Sequence, residues 1–219
     1  MRVVVTGREG QVARALAERA SSAGATLIAL GRPELDLEHP QTIAPALAAA
    51  QPDIVVNAAA HTAVDRAESE EARAFAVNAA GAGAVAAAAR ALGVPVIQIS
   101  TDYVFDGSSL LPYREEDATG PVSAYGRSKL AGEQAVAAAT PDHAILRTAW
   151  VYAPFGKNFV RTMLRLGEER SEIAVVGDQT GCPTSALDIA DAVLSVARNL
   201  VAGPGDPALR GVFHMAAQG

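Results

Sequence analysis

An α/β fold is predicted for this 219-residue chain. Half of its residues are hydrophobic, enough to bury a sizeable core. Short β-branched runs alternate with alanine-rich segments of helical composition. The first run, Val3-Val4-Val5, breaks at Gly7-Arg8-Glu9-Gly10-Gln11-Val12-Ala13, and a helix-forming segment follows from Ala15 to Ala20. A strand, a glycine turn and a helix in that order suit an anion. Gly7 and Gly10 let the backbone approach a pyrophosphate, and the unpaired N–H groups at the helix start, around Gln11 and Val12, point at it. The spacing is Gly-x-x-Gly-x-x-Ala, so Ala13 stands where the commoner pattern has a helix-packing glycine. A β-to-α turn without a ligand is the alternative reading.

Thr26–Leu30 reads as the second strand. Beyond it lie Arg32, Asp36 and Leu37, where the adenosine end of a dinucleotide is usually bound. An acidic residue there binds the ribose hydroxyls of NAD, whereas an arginine faces the extra phosphate of NADP. Arg8 and Arg32 tilt the reading towards NADPH, although both also read as ordinary solvated residues. A helix over 42–50 leads to the third strand, Asp53–Asn57, then to Ala58, Ala59, Ala60 and Thr62. Small residues there admit a flat ligand, or serve tight helix-on-sheet packing. His61 reads as a general base or as a satisfied polar group in a loop.

Helices near 71–77 and 79–91 precede the turn Gly93-Val94-Pro95 and the fourth strand, Val96–Ser100. The segment Ser100-Thr101-Asp102-Tyr103 then lies at the carboxyl end of a buried strand, the edge where ligands collect in open α/β sheets. Residues 106–122 form a polar loop with Gly107, Pro112, Gly120 and Pro121. In the helix after it, Tyr125 and Lys129 are four residues apart and share one face. An ammonium beside the phenol favours ionisation and is expected to lower the tyrosine pKa towards working range. Tyr125 then protonates a carbonyl oxygen as hydride arrives, with Thr101 as a hydrogen-bond donor to the same oxygen. Alone, the Tyr125/Lys129 pair also fits a solvated helix face.

Ala144–Thr148 is a fifth strand. Lys157 to Arg165 has helical spacing, and its three basic residues read as a phosphate-binding lining or a solvated face. Ile173–Val176 is expected to be a strand, Gly177–Gly181 a turn, Ala186–Asn199 a helix and Val212–Met215 a last short strand.

A net charge of −6 argues against general nucleic-acid binding. The single cysteine, Cys182, fits a reducing compartment, with the cytoplasm as default. Met1–Thr6 is too short for a signal peptide, and the segment 79–91, the nearest to a membrane span, reads as a soluble helix, so no membrane partner is expected.

Taken together, these residues resemble the extended short-chain dehydrogenase/reductases, and within them the dTDP-4-dehydrorhamnose reductase family. The resemblance runs end to end through the Gly7-x-x-Gly10-Gln11 loop, Asn57-Ala58-Ala59-Ala60 with Thr62-Ala63-Val64-Asp65, and Ser100-Thr101-Asp102-Tyr103-Val104-Phe105-Asp106-Gly107. It continues through Tyr125-Gly126-x-Ser128-Lys129, Arg147-Thr148-Ala149-Trp150-Val151-Tyr152 and Asp178-Gln179-x-Gly181-x-Pro183-Thr184. It implies a Rossmann-type doubly wound parallel sheet binding NADPH or NADH over 1–150. Substrate-lobe elements over 151–219 would interleave with the last sheet strands. It further implies Tyr125 as proton donor, Lys129 as the residue that orients the nicotinamide ribose, Thr101 on the reacting oxygen, and Val64, Tyr103 and Trp150 against a nucleotide-sugar substrate.

The reaction implied is reduction of the C4 ketone of dTDP-4-dehydrorhamnose. A related binding subunit without activity and a reductase or epimerase for another nucleotide sugar are the alternatives. Dehydratases of the superfamily carry glutamate where Tyr103 stands, and a phenol is a poor substitute for a carboxylate base, so reduction is favoured over dehydration. Family members usually continue past the strand matching 211–216. The carboxyl-terminal lobe is therefore expected to be incomplete, through truncation or as a shortened relative. Some members are dimers with Mg2+ at the interface; no ligand cluster in this sequence indicates one, though a homodimer fits the resemblance.

Overall fold

The structure is a computed structural model that describes residues 1–217. Six parallel strands form its main sheet: β1 (Arg2–Thr6), β2 (Thr26–Leu30), β3 (Ile54–Asn57), β4 (Val96–Thr101), β5 (His143–Thr148) and β8 (Gly211–His214), in the spatial order β2-β1-β3-β4-β5-β8. These strands read as nearly continuous apolar runs because the sheet is covered on both faces. Side chains alternate between the two layers. Val3, Val5, Ile54, Val56, Ile97 and Leu146 face a core shared with α1 (Gln11–Arg19) and α8 (Ala186–Ala202). Val4, Val55, Val96 and Ile145 face the other core, shared with α2 (Ile43–Ala50), α5 (Ala82–Leu92) and α6 (Ala124–Ala139).

Between β3 and α5 lie α3 (Val64–Ser69) and α4 (Glu71–Phe75), and α4 runs into α5 through a π-helical turn, Ala76–Gly81. By length and composition alone this continuous run, Glu71–Leu92, could cross a membrane. Here one of its faces packs on the sheet, α2 and α6.

Residues after 150 divide between the main sheet and an outlying part. In the outlying part β6 (Val151–Tyr152) pairs with β7 (Thr184–Ser185), and α7 (Phe159–Glu169) has no buried residue. The strand expected at Ile173–Val176 does not form. The segment is irregular, with Val175 53% and Val176 69% exposed. β-Branched residues make a strand only where a partner supplies the ladder, and here β6 pairs with β7 instead.

Candidate active site

In the order β2-β1-β3-β4, the connection after β1 runs to β2 on one side and the connection after β3 runs to β4 on the other. This is a topological switch point, with a crevice at the carboxyl ends of β1 and β3. Gly7 opens the crevice in a left-handed conformation, φ +92°, and its N–H donates to the Leu30 carbonyl at 2.6 Å. Gly10 is the N-cap of α1, and no side chain caps the first-turn N–H groups. A Cβ built on Gly10 would meet nothing within 4 Å. Uncapped donors at a helix start, facing open space, fit the pyrophosphate of a dinucleotide.

Ala13 is buried in the core beside α8, so its methyl is accommodated. Gln11 faces the carboxyl-terminal part rather than the crevice. Its amide donates to the Val151 carbonyl at 3.2 Å and its Oε1 accepts from Asn158 at 2.9 Å, which leaves its backbone N–H for an anion. Val12 is half-buried against the same core.

A buried row of polar side chains crosses the strand ends. The Thr6 hydroxyl donates to Asn57 Oδ1 at 2.5 Å and Asn57 Nδ2 donates to Gln98 Oε1 at 2.7 Å. Thr6 Oγ1 also accepts from the Ala59 N–H, fixing the start of the 58–60 loop. Asn78 in the π turn holds the next residue through His61 N–H and C=O, and donates to Ser128 Oγ of α6 at 2.9 Å. The loop with Ala58, Ala59 and Ala60, all half-buried, is thus tied to the Tyr125 helix; Thr62 beyond it is exposed. His61 reaches Glu70 through Nε2 at 3.3 Å.

At the adenosine end, Arg8 is committed to Glu34 at 2.8 Å and to the Ala29 carbonyl at 3.3 Å, and Arg32 is exposed. Asp36 accepts from the Glu38 N–H at 3.0 Å. The Leu37 side chain is buried in the core and does not reach the crevice as a ligand-binding group.

Thr101 ends β4, and the Ser123 hydroxyl caps α6 by accepting from the Gly126 N–H at 3.0 Å. Two glycines let α6 lie close to its neighbours. A Cβ at Gly126 would stand 2.2 Å from the Tyr103 carbonyl oxygen, and one at Gly132 2.0 Å from that of Asn78. Tyr103 and Tyr125 meet edge to face with centroids 5.6 Å apart. Lys129 is buried, and its Nζ donates to the Ile99 carbonyl at 2.7 Å.

The expected lowering of the tyrosine pKa is not found. Burial pushes Tyr125 up to about 12, Asp102 and Tyr103 add to the rise, and a hydrogen bond with Thr101 opposes it. Lys129 has turned its ammonium to a backbone carbonyl, and burial pushes it down to about 8, with the Glu133 carboxylate opposing. Burial likewise raises Asp102, although the Thr101 hydroxyl donates to it at 3.1 Å. The Thr101 oxygen also accepts from the Tyr103 N–H at 3.2 Å.

Trp150 holds a left-handed conformation, φ +42°, rare for a bulky residue, and is 41% exposed. Its ring lies against Gly181, where a Cβ would come within 2.5 Å. Val64 is half-buried at the start of α3. Among the described residues, no group of three or more His, Cys, Asp or Glu side chains could hold a metal ion.

The buried pair Glu133–Arg147 and the roles of Asn78 and Ser128 were not foreseen from the sequence. For Glu133 the signal was its position, four residues beyond Lys129 on the same helix face.

A doubly wound sheet with an open helix start at its switch point, and with Thr101, Tyr125 and Lys129 at its carboxyl edge, defines a nicotinamide-dependent oxidoreductase of the short-chain dehydrogenase/reductase class. The profile of the RmlD substrate binding domain matches residues 1–219. The dTDP-4-dehydrorhamnose reductase of Sinorhizobium fredii is 54% identical over 219 residues, covering 100% of this chain and 73% of its own length. That of Escherichia coli K12 is 44% identical with the same two shares. Among solved structures, the Bacillus anthracis dTDP-4-dehydrorhamnose reductase in complex with NADP superposes with a TM-score of 0.92 at 36% identity, covering 100% of this chain and 75% of that one. The chain belongs to the dTDP-4-dehydrorhamnose reductase family.

Proposed function

We propose that this chain reduces the C4 ketone of dTDP-4-dehydrorhamnose to dTDP-L-rhamnose, with Thr101, Tyr125 and Lys129 as its reacting site. The convergence of those three residues at the carboxyl edge of the sheet, the edge from which the open start of α1 also leaves, carries the reading. NAD(P)H, when bound along the crevice, supplies the hydride.

Tyr125 gives its proton to the C4 oxygen. A phenol pushed up to about 12 stays protonated at neutral pH, the form a donor needs. Thr101 supports the same oxygen once its hydroxyl rotates away from Asp102. Lys129 gives one N–H to Ile99, and its remaining N–H donors would hold the nicotinamide ribose. Its positive charge, retained below a pKa of about 8, favours the tyrosinate left behind.

Val64, Tyr103 and Trp150 wall the sugar nucleotide, with residues 1–150 as the cofactor-binding part and, after 150, the outlying β6, α7 and β7 as part of the substrate lobe, while α8 and β8 complete the main sheet layer. Arg8 and Arg32 favour NADPH and would hold its 2′-phosphate, with Arg8 now paired to Glu34. The lone Cys182 agrees with work in the cytoplasm.

Tyr125→Phe tests the assignment. It should leave NADPH affinity nearly unchanged and lower turnover roughly 100-fold or more, the usual loss with a general acid. Equal turnover in the variant would remove Tyr125 from the role.

A further inference from the structure

The helix that carries Tyr125 and Lys129 presents a third polar residue one turn further on. Glu133 is 4% exposed, and its carboxylate is held from two strands at once. The Ser100 hydroxyl donates to Glu133 Oε1 at 2.5 Å. Arg147 on β5 donates to the same oxygen through Nε at 3.0 Å and to Oε2 through Nη2 at 2.7 Å. Ser100 immediately precedes Thr101, and Arg147 immediately precedes Thr148, their partner in the strand register. The clamp therefore joins α6, β4 and β5 directly beneath the residues that react.

Arg147 also extends outward. It lies 5.1 Å from the Phe105 ring centroid and donates to the Glu115 carbonyl in the 106–122 loop at 3.4 Å. A carboxylate and a guanidinium committed inside a fold cost desolvation, and an apolar pair of the same volume would serve stability as well.

We propose that Glu133 is a positioning residue for the reduction: clamped by Ser100 and Arg147, it fixes the height of α6 against β4 and places a carboxylate one turn from Lys129, so that the lysine stays a cation between Ile99 and the cofactor. The proposal rests on the assignment of Lys129 to the cofactor ribose. On its own helix Lys129 lies one turn from Tyr125 and one turn from Glu133; Asp102 and Tyr103 at the end of β4 face Tyr125, and Arg147 on β5 faces Glu133. Of these, Glu133 is the one that acts on the lysine's charge, opposing the effect of burial.

The chain has two lysines, Lys129 and Lys157, so each can be followed separately. The 219-residue chain labelled in its lysine side chains is titrated by NMR, with Lys157→Arg to assign the signals. Wild type should show Lys129 changing charge near pH 8. Glu133→Gln should lower that midpoint by about half a unit or more. Because Glu133→Gln leaves Arg147 without a counter-charge and could prevent folding, the double variant Glu133→Gln/Arg147→Met is measured beside it. Removing both charges is far better tolerated than removing one, and the Lys129 midpoint should fall there too. A folded variant of either kind whose Lys129 titrates as in wild type would overturn the proposal. The readout needs neither cofactor nor sugar, so it stands apart from the substrate assignment. A chain that fails to reduce dTDP-4-dehydrorhamnose yet shows the shift would overturn the substrate and leave Glu133 in place.

Discussion

Replacing Gly132 by alanine should loosen the site from behind without touching a reacting group. The new Cβ would stand 2.0 Å from the Asn78 carbonyl oxygen, whereas ordinary contact begins at 3.4 Å, so helix and π turn must separate by about 1.4 Å. Neither side yields easily. The crowding atom is backbone, and the Asn78 side chain is committed to His61 and Ser128. Overpacking of this kind costs about 1–3 kcal/mol and here falls at the upper end. Alanine returns about 1 kcal/mol of helix propensity. A net loss of roughly 1–2 kcal/mol follows, read as a lower urea midpoint by circular dichroism. Turnover should fall further than stability, on the order of 100-fold, because α6 carries Tyr125 and Lys129 and a shift of about 1 Å misplaces both. Gly177→Ala, where a Cβ meets nothing within 4 Å, is the control and should change stability by less than about 0.5 kcal/mol. A Gly132→Ala protein as stable and as active as wild type would refute the close contact of α6 with the π turn.

Gly10→Ala should behave in the opposite way. A Cβ there meets no protein atom, so stability should hold, while NADPH affinity measured by fluorescence titration should fall at least about tenfold as the methyl enters the crevice. Unchanged affinity would move the cofactor elsewhere. Lys129→Met isolates a buried charge. With a folded pKa of about 8 against 10.5, the ammonium's cost is fully present at pH 7. Above pH 8 the folded chain gives up the proton first, the unfolded chain binds more protons, and the contribution to stability rises with pH. Any stability lead of Lys129→Met over wild type at pH 7 should therefore shrink by about 2–3 kcal/mol by pH 10, in paired urea titrations. A gap independent of pH would show that the lysine is not buried as a cation.

The sheet was legible because strands covered on both faces are written as short unbroken apolar runs, and Val3–Val5, Ile54–Val56 and Val96–Ile99 all became strands of it. Ile173–Val176 has the same composition but pairs with no strand among the described residues, and composition does not report pairing. In the site, Tyr125 and Lys129 were legible as a pair because their separation is local. Their ionisation was not, because it depends on where the lysine head turns and how much water remains around the phenol. Burial raised Tyr125, and a carbonyl on β4 took the ammonium. The Glu133 clamp was hidden for a related reason. Its partners, Ser100 and Arg147, come from two other strands, and only the register of β4 against β5 brings them together.

The most direct measurement is oxidation of NADPH and of NADH by the purified 219-residue chain, followed by nicotinamide absorbance with and without enzymatically generated dTDP-4-dehydrorhamnose. Oxidation that requires the sugar nucleotide, is faster with NADPH than with NADH, and yields dTDP-L-rhamnose is the predicted result. Tight cofactor binding with no oxidation when the sugar nucleotide is added would contradict the assignment of this chain as a reductase.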